Sequence, residues 1–177
     1  MYNHRGREWD YMTEFKEAMS KVSNTVSLLA YYSGQSQVEL RAITISSLIS
    51  VSVVEKEEEV LFVLKKDSSA GKELFIGKEI AINVLSNLQA DIAQVYGGGP
   101  QSGEIELHGP RAYWNNSLGA PELVGAHLVF VGKVEEIVAR NASNLFLCRI
   151  SRFSISNESE PLIHYLRRYQ SPNPQYL

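Results

Sequence analysis

Five hydroxyl residues fall within the eleven positions of Ala42-Ile43-Thr44-Ile45-Ser46-Ser47-Leu48-Ile49-Ser50-Val51-Ser52, with Ile, Leu and Val between them. Each hydroxyl brings one donor and two acceptor lone pairs without a charge. A strand of this kind that turns over offers OH and backbone N–H groups to a phosphate or to the polar edge of a heteroaromatic ring. The same pattern also describes the wet face of an ordinary strand. Two downstream segments add complementary chemistry. Lys65-Lys66-Asp67-Ser68-Ser69-Ala70-Gly71-Lys72 sets hydroxyls and cations at what reads as a helix start, where unpaired N–H groups collect anions. Ser68, Ser69 and the N–H groups at 70 and 71 are candidate phosphate ligands there, with Lys65 or Lys72 as the counter-charge. Asn83 interrupts the apolar run Ala81 to Leu85. An amide in that setting requires a partner if buried, either a ligand or a backbone carbonyl.

With these segments in order, the chain resembles the flavin reductase-like family. Phe15-Lys16-Glu17-Ala18-Met19-Ser20 is similar to the family's opening F..AMS helix. Thr44-Ile45-Ser46-Ser47 with Ser50-Val51-Ser52 follows, then Ser68-Ser69, then Ile82-Asn83-Val84-Leu85 with Gln89. Gly119-Ala120-Pro121-Glu122-Leu123, Gly125-Ala126 and Pro161-Leu162-Ile163 with Tyr169 close the series. The resemblance implies a mainly β fold with peripheral helices (α+β), a split β-barrel of the FMN-binding type. It implies FMN or FAD held by Thr44, Ile45, Ser46, Ser47, Ser50, Ser52, Lys65, Ser68, Ser69, Ala70 and Asn83. It further implies NAD(P)H as electron donor, a homodimer with flavin near the subunit interface, and supply of reduced flavin to a monooxygenase partner.

Two departures qualify what is carried over. Many family reductases place a Gly-Asp-His triplet before the last long strand, with the His beside the nicotinamide, whereas this chain reads Asn141-Ala142-Ser143-Asn144. Ser143 or Asn144 is the candidate replacement, with Arg168 and Tyr169 as candidates to pair with or stack on the dinucleotide. The family also tends to place two prolines after the serine run, where this chain has Val53-Val54-Glu55-Lys56-Glu57-Glu58-Glu59. Flavin reduction asks the protein to stack two rings and tune one of them, so no catalytic acid or base is assigned. Three readings stay open: an NAD(P)H-dependent flavin oxidoreductase, a flavin-binding electron-transfer protein of the same fold with poor NAD(P)H turnover, and a non-redox split-barrel binding module.

Bulk properties narrow the classes. A net charge of −3 and lysines and arginines that gather on no single segment give no field for nucleic acid. Apolar runs fall short of the roughly 18 residues of a membrane span, and the start Met1-Tyr2-Asn3-His4-Arg5 lacks an apolar signal core, which predicts a soluble, cytoplasmic protein with no membrane partner. One cysteine, Cys148, within the apolar run Leu145 to Ile150, predicts a buried and inert thiol. His4, His108, His127 and His164 share no metal-ligand spacing, so no metal site is assigned.

Those residues need a frame to hold them. At 177 residues with 44% hydrophobic composition, the chain predicts one globular domain over 12–170, preceded by an extension at 1–11 and followed by a tail at 171–177. A helix is predicted at 13–21, with Thr13 as cap and Phe15, Met19 and Val22 on one face closing an open barrel end. Strands are predicted at 25–32, 38–46 and 59–64, with the turn Ser33-Gly34-Gln35-Ser36 between the first two and the charged run 55–59 as a solvated turn. A helix capped within 67–69 is expected to run through Ile76 to a Gly77 C-cap. Strand 79–85 then leads to a second helix capped by Ser86 or Asn87, with Leu88, Ile92 and Val95 on one face. Gly97-Gly98-Gly99-Pro100 ends it, and a loop extends to Pro121. Long strands at 125–138 and 144–155 form a hairpin about 140–143, and a short strand at 161–165 precedes a frayed tail.

Overall fold

The computed structural model describes residues 11–34, 39–97, 114–115 and 119–172. The described elements run α1 (Tyr11–Ser20), β1 (Asn24–Thr25), β2 (Ser27–Ser33), β3 (Glu39–Ile45), β4 (Ile49–Ser52), β5 (Glu59–Lys65), α2 (Ser69–Glu73) and β6 (Glu79–Val84). They continue as α3 (Ala90–Tyr96), β7 (Trp114–Asn115), β8 (Glu122–Leu123), β9 (Leu128–Ala139), β10 (Ser143–Ile155), β11 (Ile163–Tyr165) and β12 (Arg168–Gln170). Seven strands form one sheet in the order β3-β2-β6-β9-β10-β5-β4, every pairing antiparallel.

That order, with a short connection, dictates the shape. β3 and β4 lie at opposite edges of the sheet, yet only residues 46–48 join them. Four Cα steps reach about 15 Å at most, whereas six interstrand spacings of a flat sheet come to about 29 Å. The sheet must roll up until its edges approach. Ser47 fastens the seam, because its Oγ accepts from the Val63 N–H (2.9 Å) and donates to the Val63 carbonyl (3.3 Å), standing in for a ladder partner. The run of hydroxyls is thus two strand ends and a corner, and the expected split barrel follows from the seam.

Period-two alternation divides the central strands between two cores. Leu29 and Tyr31 of β2 and Ile80 and Ile82 of β6 enter a cluster with Phe62, Phe146 and Val134. The stacked rings of Phe62 and Phe146, 5.2 Å apart, form its centre. Leu28, Ala81 and Leu85 face the other way, into a cluster with Ile92 and Ala93 of α3 and with Leu123 and Leu162. Burial on both faces explains why Ser27 to Tyr31 and Ile80 to Val84 are buried at every position.

Several expected elements need correction. No residue of α1 is buried, and Phe15, Met19 and Val22 are about half-exposed, so among the described residues this helix closes no barrel end. α2 stops at Glu73 because Leu74 turns to extended backbone; Gly77 (φ 91°) instead makes the bend into β6. α3 begins only at Ala90, since Gln89 turns its side chain back to accept from the Ser86 N–H and leaves the N-cap without a side-chain bond. Leu88 is therefore exposed and lies outside the helix. Within the expected loop to Pro121, β7 pairs with β8; residues 98–113 and 116–118 lie outside the described residues. β12 was not foreseen, and it pairs with β11, itself paired with β1, to form a separate three-stranded sheet. Residues 1–10 of the expected extension and 173–177 of the expected tail also lie outside the described residues, while Tyr11 opens α1. No described helix is long and apolar enough to cross a membrane.

Candidate functional site

The seam between the rolled edges opens into a cavity of about 720 Å³. Its walls are the end of β3 with its corner (Thr44, Ile45, Ser46, Ser47), the end of β5 (Val63, Leu64, Lys65), the start of α2 (Ser68, Ser69, Ala70) and the end of α3 (Tyr96, Gly97). Tyr31, Arg41, Ala42 and Ile43 complete it. Two segments that the sequence places some twenty residues apart thus meet across one opening. The size lies within the range of about 300–1,000 Å³ usual for small-molecule sites.

Local structure explains what each wall offers. Ser68 is the N-cap of α2, with Oγ accepting from the Gly71 N–H (3.0 Å) and donating to the Lys65 carbonyl (2.7 Å). That brace joins β5 to α2 and leaves the N–H groups of Ser69 and Ala70 without a backbone acceptor among the described residues. Gly71 is required there, because a Cβ would sit 2.0 Å from the Lys65 carbonyl oxygen. Thr44 donates its hydroxyl to the Ala93 carbonyl (2.9 Å), tying β3 to α3 and keeping lone pairs free. Ser46 is exposed at the corner. Ile43, Ile45, Val63 and Leu64 supply an apolar surface between these polar rims.

The electrostatics of the lining are one-sided. Arg41 and Lys65 are both present, and no Asp or Glu is among the described lining residues, although the chain as a whole is acidic. Within the wall, the largely buried Tyr31 donates its hydroxyl to Glu73 Oε2 (3.0 Å), linking β2 to α2. Burial first, then the hydrogen bond and the charge of Glu73, raise the Tyr31 hydroxyl above the ordinary tyrosine range, with Arg41 acting in the opposite direction.

Of the residues singled out in the sequence, Thr44, Ile45, Ser46, Ser47, Lys65, Ser68, Ser69 and Ala70 line the cavity. The others lie elsewhere. Ser50 and Ser52 belong to β4, and neither lines it; Ser52 Oγ accepts from the Val54 N–H. Lys72, in the last turn of α2, is exposed and also outside the lining. Asn83, expected at the flavin, does not line the cavity. That residue is fully buried, donating to the Leu28 and Pro121 carbonyls (3.2 and 3.4 Å) and accepting from the Leu123 N–H (2.8 Å). It sits on the sheet face opposite Ile82, where its amide organises the 121–123 segment.

Ser143 and Asn144 open β10 beside Lys65 and Leu64, one strand away from the lining. The Asn144 Oδ1 is buried without a hydrogen-bond partner in the described structure. Tyr169 is half-buried against the α3 core, its ring 5.6 Å from that of His164, and a Cβ on Gly97 would lie 3.7 Å from its hydroxyl. Arg168, its neighbour on β12, points to the other side of the strand and is exposed.

Sequence reading missed Arg41, Tyr31 and Tyr96. For Arg41 a signal existed, since it shares period-two register with Ile43 and Ile45 and is thus a charge on the inward series of an otherwise apolar strand end. For Tyr31 and Tyr96 none did, because their approach depends on how the sheet rolls.

A family model described as flavin reductase like domain matches residues 19–173. The chain belongs to the flavin reductase-like family. Among its relatives, the FMN reductase (NADH) RutF of Cronobacter sakazakii is 23% identical over 158 residues, covering 89% of this chain and 90% of that protein. The styrene monooxygenase flavin reductase SMOB of Pseudomonas putida S12 superposes with a TM-score of 0.79 at 21% identity, over 93% of this chain and 99% of its own. The NADH:FAD oxidoreductase SgcE6 of Streptomyces globisporus C-1027, solved with NAD and FAD fragments, superposes with a TM-score of 0.77 at 18% identity, over 94% and 95%. These likenesses establish the flavin reductase split barrel as this chain's fold.

Proposed function

We propose that this protein is an NAD(P)H-dependent flavin oxidoreductase whose FMN or FAD occupies the seam cavity. The single observation that supports the reading is the meeting of the hydroxyl-bearing corner with the Lys65 and Ser68–Ala70 segment across that cavity. The residues suit the group. A flavin nucleotide carries an anionic tail, a flat apolar ring and a polar ring edge, and the walls present cations with free N–H groups, branched aliphatics, and hydroxyls with backbone amides in the matching sequence.

A flavin held there would supply hydride acceptance at N5 from a nicotinamide and onward electron transfer. The chain's own residues bind, orient and exclude water. Lys65, Ser69 and the Ser69 and Ala70 N–H groups hold the phosphate, each charge-assisted bond contributing about 1.5–3 kcal/mol. The 44–47 backbone and the Ser46 hydroxyl address the ring edge, and Ile43, Ile45 and Val63 form the wall under the ring. Asn144, with its unpaired acceptor, is the candidate for the nicotinamide carboxamide in place of the family His, seconded by Ser143. Tyr169 is positioned to shape the rim at Gly97, while Arg168 would meet only the outer part of a dinucleotide.

We further propose a homodimer, in keeping with the family, and reduced flavin released to a monooxygenase partner. SMOB is by its name such a component, and the RutF relatives are named as NADH-linked FMN reductases. The absent Gly-Asp-His triplet favours a second reading, a flavin protein fed by another electron donor. Aerobic consumption of NADH or NADPH, measured with and without added FMN, tests the choice. Turnover rising with FMN is expected; tight flavin binding without such turnover would replace the first reading by the second.

A further inference from the structure

Arg41 belongs to no segment that the family resemblance singled out, yet it is one of the two cations lining the cavity. The backbone explains its presence there. Arg41 stands opposite Tyr31 in the β2–β3 ladder, so the two side chains share a face, and Tyr31 reaches across to Glu73 of α2. Arg41 is therefore delivered to the α2 side of the opening, where the lining carries no carboxylate among the described residues. Its guanidinium is engaged instead by Glu39, two residues earlier on the same face of β3, at 3.0 Å. Both side chains of that pair are about half in solvent, so the bond is weak and exchangeable. An arginine in a cavity whose described lining carries no carboxylate, paired with a carboxylate outside that lining, is available to an incoming anion.

Building on the flavin reading of the site, we infer that Arg41 is a specificity-determining residue that exchanges Glu39 for a phosphate of the ligand. It thereby selects phosphorylated flavins over riboflavin. Glu39 sets the threshold of that exchange by competing for the guanidinium. The planar fork of an arginine suits both partners, since carboxylate and phosphate accept the same pair of parallel N–H bonds.

Equilibrium titrations of riboflavin, FMN and FAD, read by quenching of flavin fluorescence, test the inference on the full chain and on Arg41→Gln, Arg41→Lys and Glu39→Gln. Arg41→Gln should weaken phosphorylated flavins about tenfold and leave riboflavin within about twofold, the loss tempered by the solvent exposure of the site. A loss for FMN and FAD alike assigns the contact to the flavin-proximal phosphate, and a loss confined to FAD assigns it to the second phosphate. Arg41→Lys should retain part of the preference, and Glu39→Gln should tighten phosphorylated flavins about two- to fivefold at low salt. Equal changes for riboflavin and the nucleotides in Arg41→Gln, or none for any ligand, would overturn the role of Arg41 while leaving the flavin site standing. Failure of the unaltered chain to bind any of the three would overturn both.

Discussion

Replacing Asn83 by Ala separates a structural amide from a ligand contact. The Asn83 side chain makes three buried hydrogen bonds to backbone groups of Leu28, Pro121 and Leu123. Truncation leaves the buried Leu123 N–H with no acceptor, a cost of about 1–3 kcal/mol for one orphaned donor. Two carbonyls lose a weaker contact each, and a small void remains, which brings the total to about 2–4 kcal/mol. With a urea slope of about 2 kcal/mol per molar, the unfolding midpoint of the flavin-free protein should fall by about 1–2 M. Protein concentration must be held fixed, because any self-association would shift the apparent stability. FMN affinity, measured under folding conditions, should change by less than about threefold. A midpoint shift below about 0.5 M together with a tenfold or greater loss of FMN affinity would refute the assignment and return Asn83 to the flavin site.

Ser68→Ala with Ser69→Ala should weaken FMN by about tenfold or more and riboflavin little, while costing about 1 kcal/mol of stability through the lost cap; equal losses in titrations with the two ligands would contradict the phosphate assignment. Leu166 and Arg167 form the two-residue β11–β12 turn at φ 50° and 60°, a conformation that disfavours side chains. Arg167→Gly should therefore raise stability by about 1 kcal/mol in a urea melt, and a loss of stability would show the strain to be absent. Burial first, and then the charge of Glu135, push the Cys148 thiol up to about 12. In the unfolded chain the thiol titrates near its ordinary value of 9.0, so above that pH the unfolded state holds fewer protons than the folded one and stability declines as pH rises toward 12. Disulfide-exchange reagents at pH 8 should label Cys148 only at the rate of unfolding; rapid labelling of the native protein would contradict its burial.

What could be read from the sequence was governed by local chemistry. The hairpin of β9 and β10, the strands β2, β3 and β5, and the Ser68 cap are each written in a few adjacent residues, through alternation, turn residues or a hydroxyl before a helical run. The Lys65 and Ser68–Ala70 side of the cavity was legible for that reason. Asn83 was legible only as a polar group in need of a partner; which partner depended on the sheet face it occupies and on the 121–123 segment folding across that face. Ser50 and Ser52 share composition with Thr44 and Ser46, but the corner at 46–48 sends them to the other edge of the sheet. α1 shows the limit of periodicity, since Phe15, Met19 and Val22 have the spacing of a buried stripe and remain open to solvent in the single chain. Arg41 was marked only by its register with Ile43 and Ile45, and Tyr31 entered the site through long-range pairing alone.

The proposed function requires one location for the flavin, and a crystal structure of the protein grown with FMN tests it most directly. The expected density places the ring edge along Thr44 to Ser47 and the phosphate against Lys65 and the Ser68–Ala70 segment. Flavin seated away from the β3 corner and the start of α2 would contradict the account.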